Sequence, residues 1–130
     1  MNFLDNPTHL ALEKTMDALW QRARVQSENI ANAATPGYKR KVVDFEEELR
    51  HRINAMGAAA SRQDAMRAVS ALQPHIYEDK TTNVNVDGNN VELDQEFLEM
   101  TDTLTQYQYL QRLLSDSFAR LRYAITEGRG

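Results

Sequence analysis

Residues 93–126 read LDQEFLEMTDTLTQYQYLQRLLSDSFARLRYAIT, and this stretch decides the fold. Ten of its positions follow alternating steps of four and three residues, and nine of these ten are apolar. Such spacing lines them along one face of an α-helix that packs on another helix. It predicts a helix over 94–126, roughly 50 Å long at 1.5 Å per residue, with Asp94 as N-cap and Leu93 and Leu98 as a hydrophobic staple. The ten positions are Leu93, Phe97, Met100, Leu104, Tyr107, Gln111, Leu114, Phe118, Leu121 and Ile125.

A second helix is predicted at the other end of the chain, over residues 7–34. Asn6 is a favourable N-cap, and Pro7 at the first helical position loses no hydrogen bond. Pro36 disfavours helical geometry at the preceding residue, so the helix is expected to stop just before it. Seven positions follow the same spacing, with one polar interruption at Gln26. They are Leu12, Met16, Leu19, Ala23, Gln26, Ile30 and Ala33.

For the middle of the chain, the sequence predicts less regular structure. Asp44 is placed to cap a short helix over 45–56, and a flexible joint is expected near 57–75. Residues 62–72 have helical propensity but only a thin apolar face, so the sequence leaves their order open. Residues 74–91 are rich in Asn, Thr and turn signals, which favours loops and at most a short hairpin.

The predicted fold class is mainly α. The long terminal helices are expected to pair as an antiparallel coiled coil, because pairing is the simplest way to cover both apolar stripes. Segments 1–36 and 91–130 then form one coiled-coil domain, and residues 37–90 form a partly ordered, hairpin-like middle with a short helix. Extra apolar width on the second helix marks an interaction surface, with the ends becoming ordered on assembly. The alternative is an ordinary three- or four-helix bundle that covers its apolar side chains internally.

Composition restricts the classes of function. The chain has 130 residues, 42% hydrophobic and 26% charged, with a net charge of −4 and a mean hydropathy of −0.62. An acidic chain is a poor partner for nucleic acid, and no stretch approaches the ~20 apolar residues that span a bilayer. The absence of cysteine excludes disulfides and thiolate metal sites. The first residues lack the basic and apolar regions of a cleaved secretory signal.

No pattern in the sequence points to catalysis or to a bound cofactor. His9, His51 and His75 have no spacing that would place two of them on one helical turn. Residues 83–94 imitate a calcium loop, but Asn stands at the first ligand position and Asp at the last. The basic run 39–41 is shorter than a lipid-binding patch, and a salt-bridged or solvated strand end is the favoured interpretation. We therefore expect no enzyme, no metal and no cofactor.

The segment from Ser27 to Lys39 reads SENIANAATPGYK and has a specific local chemistry. Its alanines permit close helix approach, Asn29 and Asn32 offer hydrogen bonds across an interface, and Thr35-Pro36-Gly37 breaks the helix. From these residues alone, an ordinary helix C-terminus is an equally good interpretation. The segment resembles the N-terminal signature of the flagellar basal-body rod and hook family, in which a helix ends in N-I-A-N-x-x-T-P-G-Y-K.

A second stretch extends this resemblance to the other end of the chain. Residues 86–96 read VDGNNVELDQE and are similar to the region before the C-terminal helix in the proximal rod subunits of that family. Gln106-Tyr107-Gln108 lies where those subunits have a Tyr-Gln pair. Glu92 stands where the family often has Asp, and residues 44–80 match none of its motifs.

The resemblance implies a structural role in motility. Members of the family are exported unfolded through the flagellar type III apparatus, without a cleaved signal peptide, and assemble helically in the periplasmic rod of the basal body. Implied partners are neighbouring rod subunits, a rod-to-ring adaptor protein and further copies of the chain, with no nucleic acid and no direct membrane insertion. The competing hypothesis is a soluble helical protein-binding module unrelated to flagella.

Two groups of residues are predicted to carry this role. The first lies on the helical stripes and is expected to form the assembly interface, while the second shapes the exit of the chain from the first helix. Trp20 flanks the stripe as an expected interhelical anchor. The interface group is Leu12, Leu19, Ile30, Phe97, Leu104, Leu114, Phe118 and Leu121. The turn group is Asn29, Asn32, Thr35, Pro36, Gly37 and Tyr38.

Overall fold

The computed structural model describes residues 6–128, and within them the chain is mainly α-helical, as predicted. The first five and last two residues of the predicted terminal domain lie outside the described range. Two long helices at the ends of the chain flank a middle that contains two short helices and two short strands. In chain order the elements are α1 Pro7–Ala31, β1 Lys41–Asp44, α2 Glu46–Met56, α3 Arg62–Ser70, β2 His75–Glu78 and α4 Leu93–Glu127.

Helix α1 begins as its sequence predicts and ends earlier. The Asn6 side chain accepts a hydrogen bond from the backbone N–H of Thr8 at 2.9 Å, which caps the first turn. The helix stops at Ala31, three residues before the predicted end. Asn32 has left helical geometry (φ −103°, ψ 12°), and its side-chain amide donates to the carbonyl of Glu28 at 2.8 Å. The same carbonyl also accepts from the backbone N–H of Asn32 at 3.1 Å, so the side chain adds a second bond at the end of the helix.

Helix α4 spans Leu93–Glu127, close to the predicted 94–126. Glu92 holds the N-cap position and its side chain makes no capping hydrogen bond, so the prediction of Asp94 as cap is wrong. Leu93 belongs to the helix itself, and both Leu93 and Leu98 are exposed, so the predicted staple is also wrong. The first turn keeps two acidic side chains, Asp94 and Glu96, which favour the positive end of the helix dipole.

The start of α2 is set by burial rather than by capping. Asp44 was predicted to cap this helix, but it is the last residue of β1, and Phe45 occupies the cap position without a side-chain hydrogen bond. The Phe45 ring is 2% exposed and packs with Ala18 of α1 and with Leu72 after α3. Fixing this ring in the core determines where the chain turns into α2, which a local capping rule does not capture.

The predicted flexible joint contains a helix. Ser61 and Asp64 form a complete capping box at the start of α3, and Val69 is buried near its end. The strands form one antiparallel pair in which Lys41 lies opposite Glu78 and Asp44 opposite His75. The local hairpin allowed for residues 74–91 is therefore wrong, because β2 pairs with a distant strand.

The two long helices lie side by side in antiparallel orientation. Three contacts along α1 meet residues that descend along α4. The Nε2 atom of His9 lies 2.9 Å from the hydroxyl of Ser117. The rings of Trp20 and Tyr107 are 6.1 Å apart between centroids. The side-chain amide of Asn29 donates to Glu96 at 3.3 Å. The middle of the chain packs on α1 through α3 and β1.

Candidate assembly site

Asn29 joins the end of α1 to the start of β1. Its side-chain amide donates to the carbonyl of Lys41 at 2.8 Å, and its side-chain oxygen accepts from the N–H of Lys41 at 3.0 Å. The hydroxyl of Tyr38 donates to the same oxygen at 3.0 Å. Burial raises the pKa of Tyr38, and the nearby charges of Glu28 and Glu96 raise it further. Asn29 is fully buried, so these bonds are shielded from water.

Asn89 ties the segment before α4 to the turn after α1. Its side-chain amide donates to the carbonyl of Asn32 at 2.9 Å and to that of Thr35 at 2.8 Å. Its side-chain oxygen accepts from the N–H of Val91 at 2.7 Å. The residue is fully buried. A distant side chain therefore adds a second donor to two carbonyls of the helix exit, which also accept from the N–H groups of Thr35 and Tyr38.

The two loops approach each other closely at two glycines. Gly37 and Gly88 both adopt positive φ, 75° and 86°, and a Cβ on Gly88 would lie 3.3 Å from the Cα of Gly37. The N–H of Gly37 donates to the carbonyl of Asp87 at 2.9 Å, and the ammonium of Lys39 donates to the carbonyl of Gly88. Only glycine combines this backbone geometry with this spacing at low strain.

Arg40 is the centre of a buried charge cluster. It is 7% exposed, and its guanidinium donates to Glu96, to Glu99 and, at 2.7 Å, to Asp79. Its backbone N–H donates to the side chain of Asn90 at 2.6 Å, and its carbonyl accepts from the N–H of Asp79 at 2.8 Å. One residue thus links β1, the segment after β2 and the first turns of α4. The interpretation of the basic run as a salt-bridged strand end holds for Arg40.

The charges in this cluster stabilise one another. Burial would lower the pKa of Arg40, but the hydrogen bond and charge of Glu96, with those of Asp79 and Glu99, raise it. Hydrogen bonds from Thr81 and then from Arg40 lower the pKa of Asp79. We call the bonded set around Asn29 and Arg40, together with the neighbouring Asn89, the polar joint. It comprises Asn29, Tyr38, Arg40, Asp79, Asn89, Asn90, Glu96 and Glu99.

Replacing Asn89 by alanine is expected to lower the free energy of unfolding by about 3 kcal/mol. The Asn89→Ala change removes three hydrogen bonds, at about 1 kcal/mol each, and leaves the buried N–H of Val91 without its partner. Urea denaturation followed by circular dichroism measures the loss. Asn85→Ala is the matched control, because Asn85 is exposed and only its backbone is bonded within the loop. Equal stability of the two variants would contradict the prediction.

The predicted stripe of α4 divides into two rows. The row that faces α1 is buried or half-buried, and it includes polar residues where α1 presents His9 and Asn29. A single stripe of all ten predicted positions against α1 is therefore wrong. The α1-facing row is Glu96, Met100, Thr103, Tyr107, Leu110, Leu114, Ser117 and Leu121.

The second row remains exposed. Its apolar members are spaced by seven residues, or by fourteen across Gln111, so they lie along one line beside the contact with α1. They expose between 37% and 54% of their surface. Phe118 also packs edge-on against the ring of His9, with centroids 6.1 Å apart. We call this line the apolar strip. It consists of Phe97, Leu104, Phe118 and Ile125.

The predicted interface group is therefore distributed over both surfaces. Leu19 is buried, while Leu12, Ile30, Leu114 and Leu121 are half-buried. The other three members, Phe97, Leu104 and Phe118, belong to the apolar strip. Trp20 touches Tyr107 but exposes 62% of its surface.

Sequence reasoning missed the polar joint outside Asn29 and Tyr38. Arg40 was assigned to a basic run, and its partners Asp79, Glu96 and Glu99 are distant in sequence. The available signal was that the second motif, residues 86–96, contains Asn89, Asn90 and Glu96. Within residues 6–128, no group of acidic and histidine side chains is arranged to hold a metal ion. None of the helices in that range has the length and hydropathy needed to cross a bilayer.

The two segments that carry the family resemblance are thus bonded to each other across the fold. The flagellar basal body rod protein FlgB of Cereibacter sphaeroides is 35% identical over 109 residues, covering 80% of this chain and 82% of the relative. The chain belongs to the FlgB family. The FlgB of Escherichia coli is 31% identical over 118 residues, covering 83% and 85%. That of Bacillus subtilis is 27% identical over 129 residues, covering 91% and 92%. A scan against models of known protein families finds no match.

Membership of the FlgB family makes the chain a structural subunit of the bacterial flagellar basal-body rod. Its relatives are structural rod proteins and not enzymes. The coverage of four fifths or more on both sides means that the resemblance is not confined to the two motifs. The alternative of a helical binding module unrelated to flagella is not supported.

Proposed function

We propose that this FlgB-family subunit builds the proximal rod through its two terminal helices. Helices α1 and α4 pair as an antiparallel coiled coil, which forms the rod-core domain of segments 1–36 and 91–130. The apolar strip of α4 packs against neighbouring subunits. The turn group, with Pro36 and Gly37 at its centre, directs the middle segment 37–90 away from that core.

The observation that carries this proposal is the apolar strip. Four large apolar side chains in one line along a helix are unfavourable in water, at about 25 cal/mol per Å² of exposed apolar surface. Phe97, Leu104 and Ile125 are presented outward, although the same helix covers another row against α1. A strip of this kind, beside a completed intramolecular contact, fits a subunit that buries it on assembly.

The proposed partners are the proteins that neighbour the subunit in the rod. Neighbouring rod subunits, further copies of the chain and a rod-to-ring adaptor protein are the proteins expected to cover the strip. The subunit reaches the periplasmic rod through the flagellar export apparatus. Repeated contacts between different surfaces of identical or related subunits build a tube rather than a closed oligomer, as a rod requires.

Deleting the chain from its own cell is expected to abolish swimming while leaving growth unchanged. The reason is structural, because a rod that lacks one subunit cannot carry a hook and filament. The measurements are the swimming halo in soft agar and electron microscopy of purified basal bodies, with the wild-type chain supplied in trans as the control. Normal swimming of the deletion strain, or loss of a process other than motility, would contradict the proposed function.

A further inference from the structure

The apolar strip of α4 is symmetric about Gln111. Phe97 and Leu104 precede this residue by fourteen and seven positions, and Phe118 and Ile125 follow it by seven and fourteen. Gln111 is itself exposed and lies on the same line of the helix. When a second copy is turned end for end about Gln111, Leu104 lies opposite Phe118 and Phe97 lies opposite Ile125. Each contact then combines one aromatic with one aliphatic side chain, an alternation of large and smaller groups that lets two helices interdigitate.

The charges of α4 favour the same antiparallel orientation. Its first half, residues 93–110, has four carboxylates and no cation, whereas its second half, residues 111–127, has three arginines and two carboxylates. Arg40 compensates only part of the acidic half, because Asp94 and Asp102 make no ion pair within residues 6–128. An antiparallel copy places each acidic half beside a net positive half, which is attractive. A parallel copy in register would place acidic half beside acidic half, and like charges repel.

Gln111 is the polar residue at the centre of this symmetry. Inside an apolar contact its amide group needs a hydrogen-bond partner, because an unpaired buried amide is unfavourable. In the antiparallel arrangement two copies of Gln111 lie opposite each other, and the amide N–H of each can donate to the amide oxygen of the other. A single polar residue at a core position specifies the register of paired helices in this way. The outer flank of the strip is exposed and uncharged at Thr101, Gln108 and Ser115, so it can be covered without burying a charge.

We propose that the free subunit forms an antiparallel two-fold dimer in which the apolar strips of two copies cover each other. The contact joins one surface to the same surface of a second copy, so it closes at two chains and does not propagate. The dimer therefore keeps the strip from polymerising outside the rod, until rod subunits replace the second copy. The inference rests on the proposed rod function, since both contacts use the same strip.

The size of the contact makes the dimer reversible. The strip contributes four apolar side chains from each copy, with Gln111 between them. A standard stable interface uses roughly 20–30 residues a side, so this smaller contact dissociates on dilution. A dimer that dissociates readily can release its subunits to the rod, and the diluted chain is a monomer with a solvated strip.

Oxidation of a single introduced cysteine tests the two-fold axis, because the chain has no cysteine of its own. In a concentrated solution of the purified full-length Gln111→Cys chain, we expect at least half of the protein to run as a disulfide-linked dimer after mild oxidation. Tyr109→Cys is the matched control, since Tyr109 is exposed and lies on the opposite side of α4. It should give at least tenfold less dimer. Equal amounts of dimer from the two variants, or a Gln111→Cys chain that stays monomeric, would refute the contact and leave the rod function standing.

The direction of pairing is tested with Leu104→Cys and Phe118→Cys. In the proposed dimer the two copies of residue 104 are about 21 Å apart along the helices, at 1.5 Å per residue, too far for a disulfide. Leu104→Cys alone should therefore stay monomeric after oxidation, whereas a mixture of the two variants should give at least tenfold more dimer, containing one chain of each. Dimers of Leu104→Cys alone would show parallel pairing and overturn the proposal.

Purified basal bodies separate the role of the dimer from the rod function. In cells that produce Gln111→Cys, the disulfide-linked dimer should be at least tenfold depleted from basal bodies relative to the rest of the cell, because a dimer that covers its strip cannot join the rod. Linked dimer in the same proportion in both fractions would refute the role in withholding the strip. Absence of the wild-type chain from basal bodies would refute the rod function itself.

Discussion

The Arg40→Ala variant is expected to lose about 3–5 kcal/mol of unfolding free energy, the range observed when one partner of a buried ion pair is removed. Arg40 is the only cation bonded to Glu96 within the described residues, and the Glu96 side chain has no exposure to solvent. Removing the guanidinium leaves that carboxylate buried with only the weak amide contact of Asn29 at 3.3 Å. Because small domains are stable by only about 5–15 kcal/mol, this loss is a large fraction of the total.

Chemical denaturation of the purified subunit measures this loss of stability, and two further variants serve as controls. Arg24→Ala removes an exposed arginine whose ion pair with Glu28 spans 4.0 Å, and it should change stability by less than about 0.5 kcal/mol. Arg40→Met combined with Glu96→Met replaces the buried pair by apolar side chains and should recover more than half of the loss. An Arg40→Ala variant within about 1 kcal/mol of the wild type would show that the cluster does not hold the joint.

The second large effect is expected on assembly rather than on folding. Leu104→Asp places a charge in the middle of the apolar strip, where the side chain is 37% exposed. In the free subunit the carboxylate is solvated, so the unfolding free energy should stay within about 1 kcal/mol of the wild-type value. In the rod the same carboxylate would be buried without a partner, which costs several kcal/mol per interface and is repeated in every subunit. We expect no basal bodies with hooks and no swimming.

Two comparisons separate assembly from folding. Thr105→Asp introduces the same charge one residue later, on an exposed face of α4 away from the strip, and should swim normally. Leu114→Asp places the charge in the row that faces α1, and should lower both subunit stability and swimming. Unchanged swimming of the Leu104→Asp strain would exclude the apolar strip from the rod interface.

Local sequence patterns were sufficient to predict that the two long helices exist. The spacing by fours and threes predicted both long helices, and Asn6-Pro7 predicted the first residue of α1, because periodicity and capping depend on residues within a few positions of each other. The ends of the helices were harder to predict from the sequence. Helix α1 stops at Ala31, and the turn that follows is bonded to Asn89, more than fifty residues later in the chain.

The candidate site was also predictable from the sequence only in part. Pro36, Gly37 and Tyr38 were identified from the motif, because a helix break is encoded by the residues that make it. The carboxylates around Arg40 come from the segment after β2 and from α4, and no periodicity relates them to residue 40. The pairing of β1 with β2 was also inaccessible, since it depends on where α2 and α3 return the chain.

The sequence by itself therefore determined that this protein has two long amphipathic helices at its ends and a family motif at the exit of the first. Only the tertiary structure decided which half of the α4 stripe faces α1, which half forms the apolar strip, and how the two motifs bond through Asn29, Arg40 and Asn89. The physical reason is that helix periodicity specifies a face of about half a cylinder. The choice within that face depends on which side chains a second helix places opposite it.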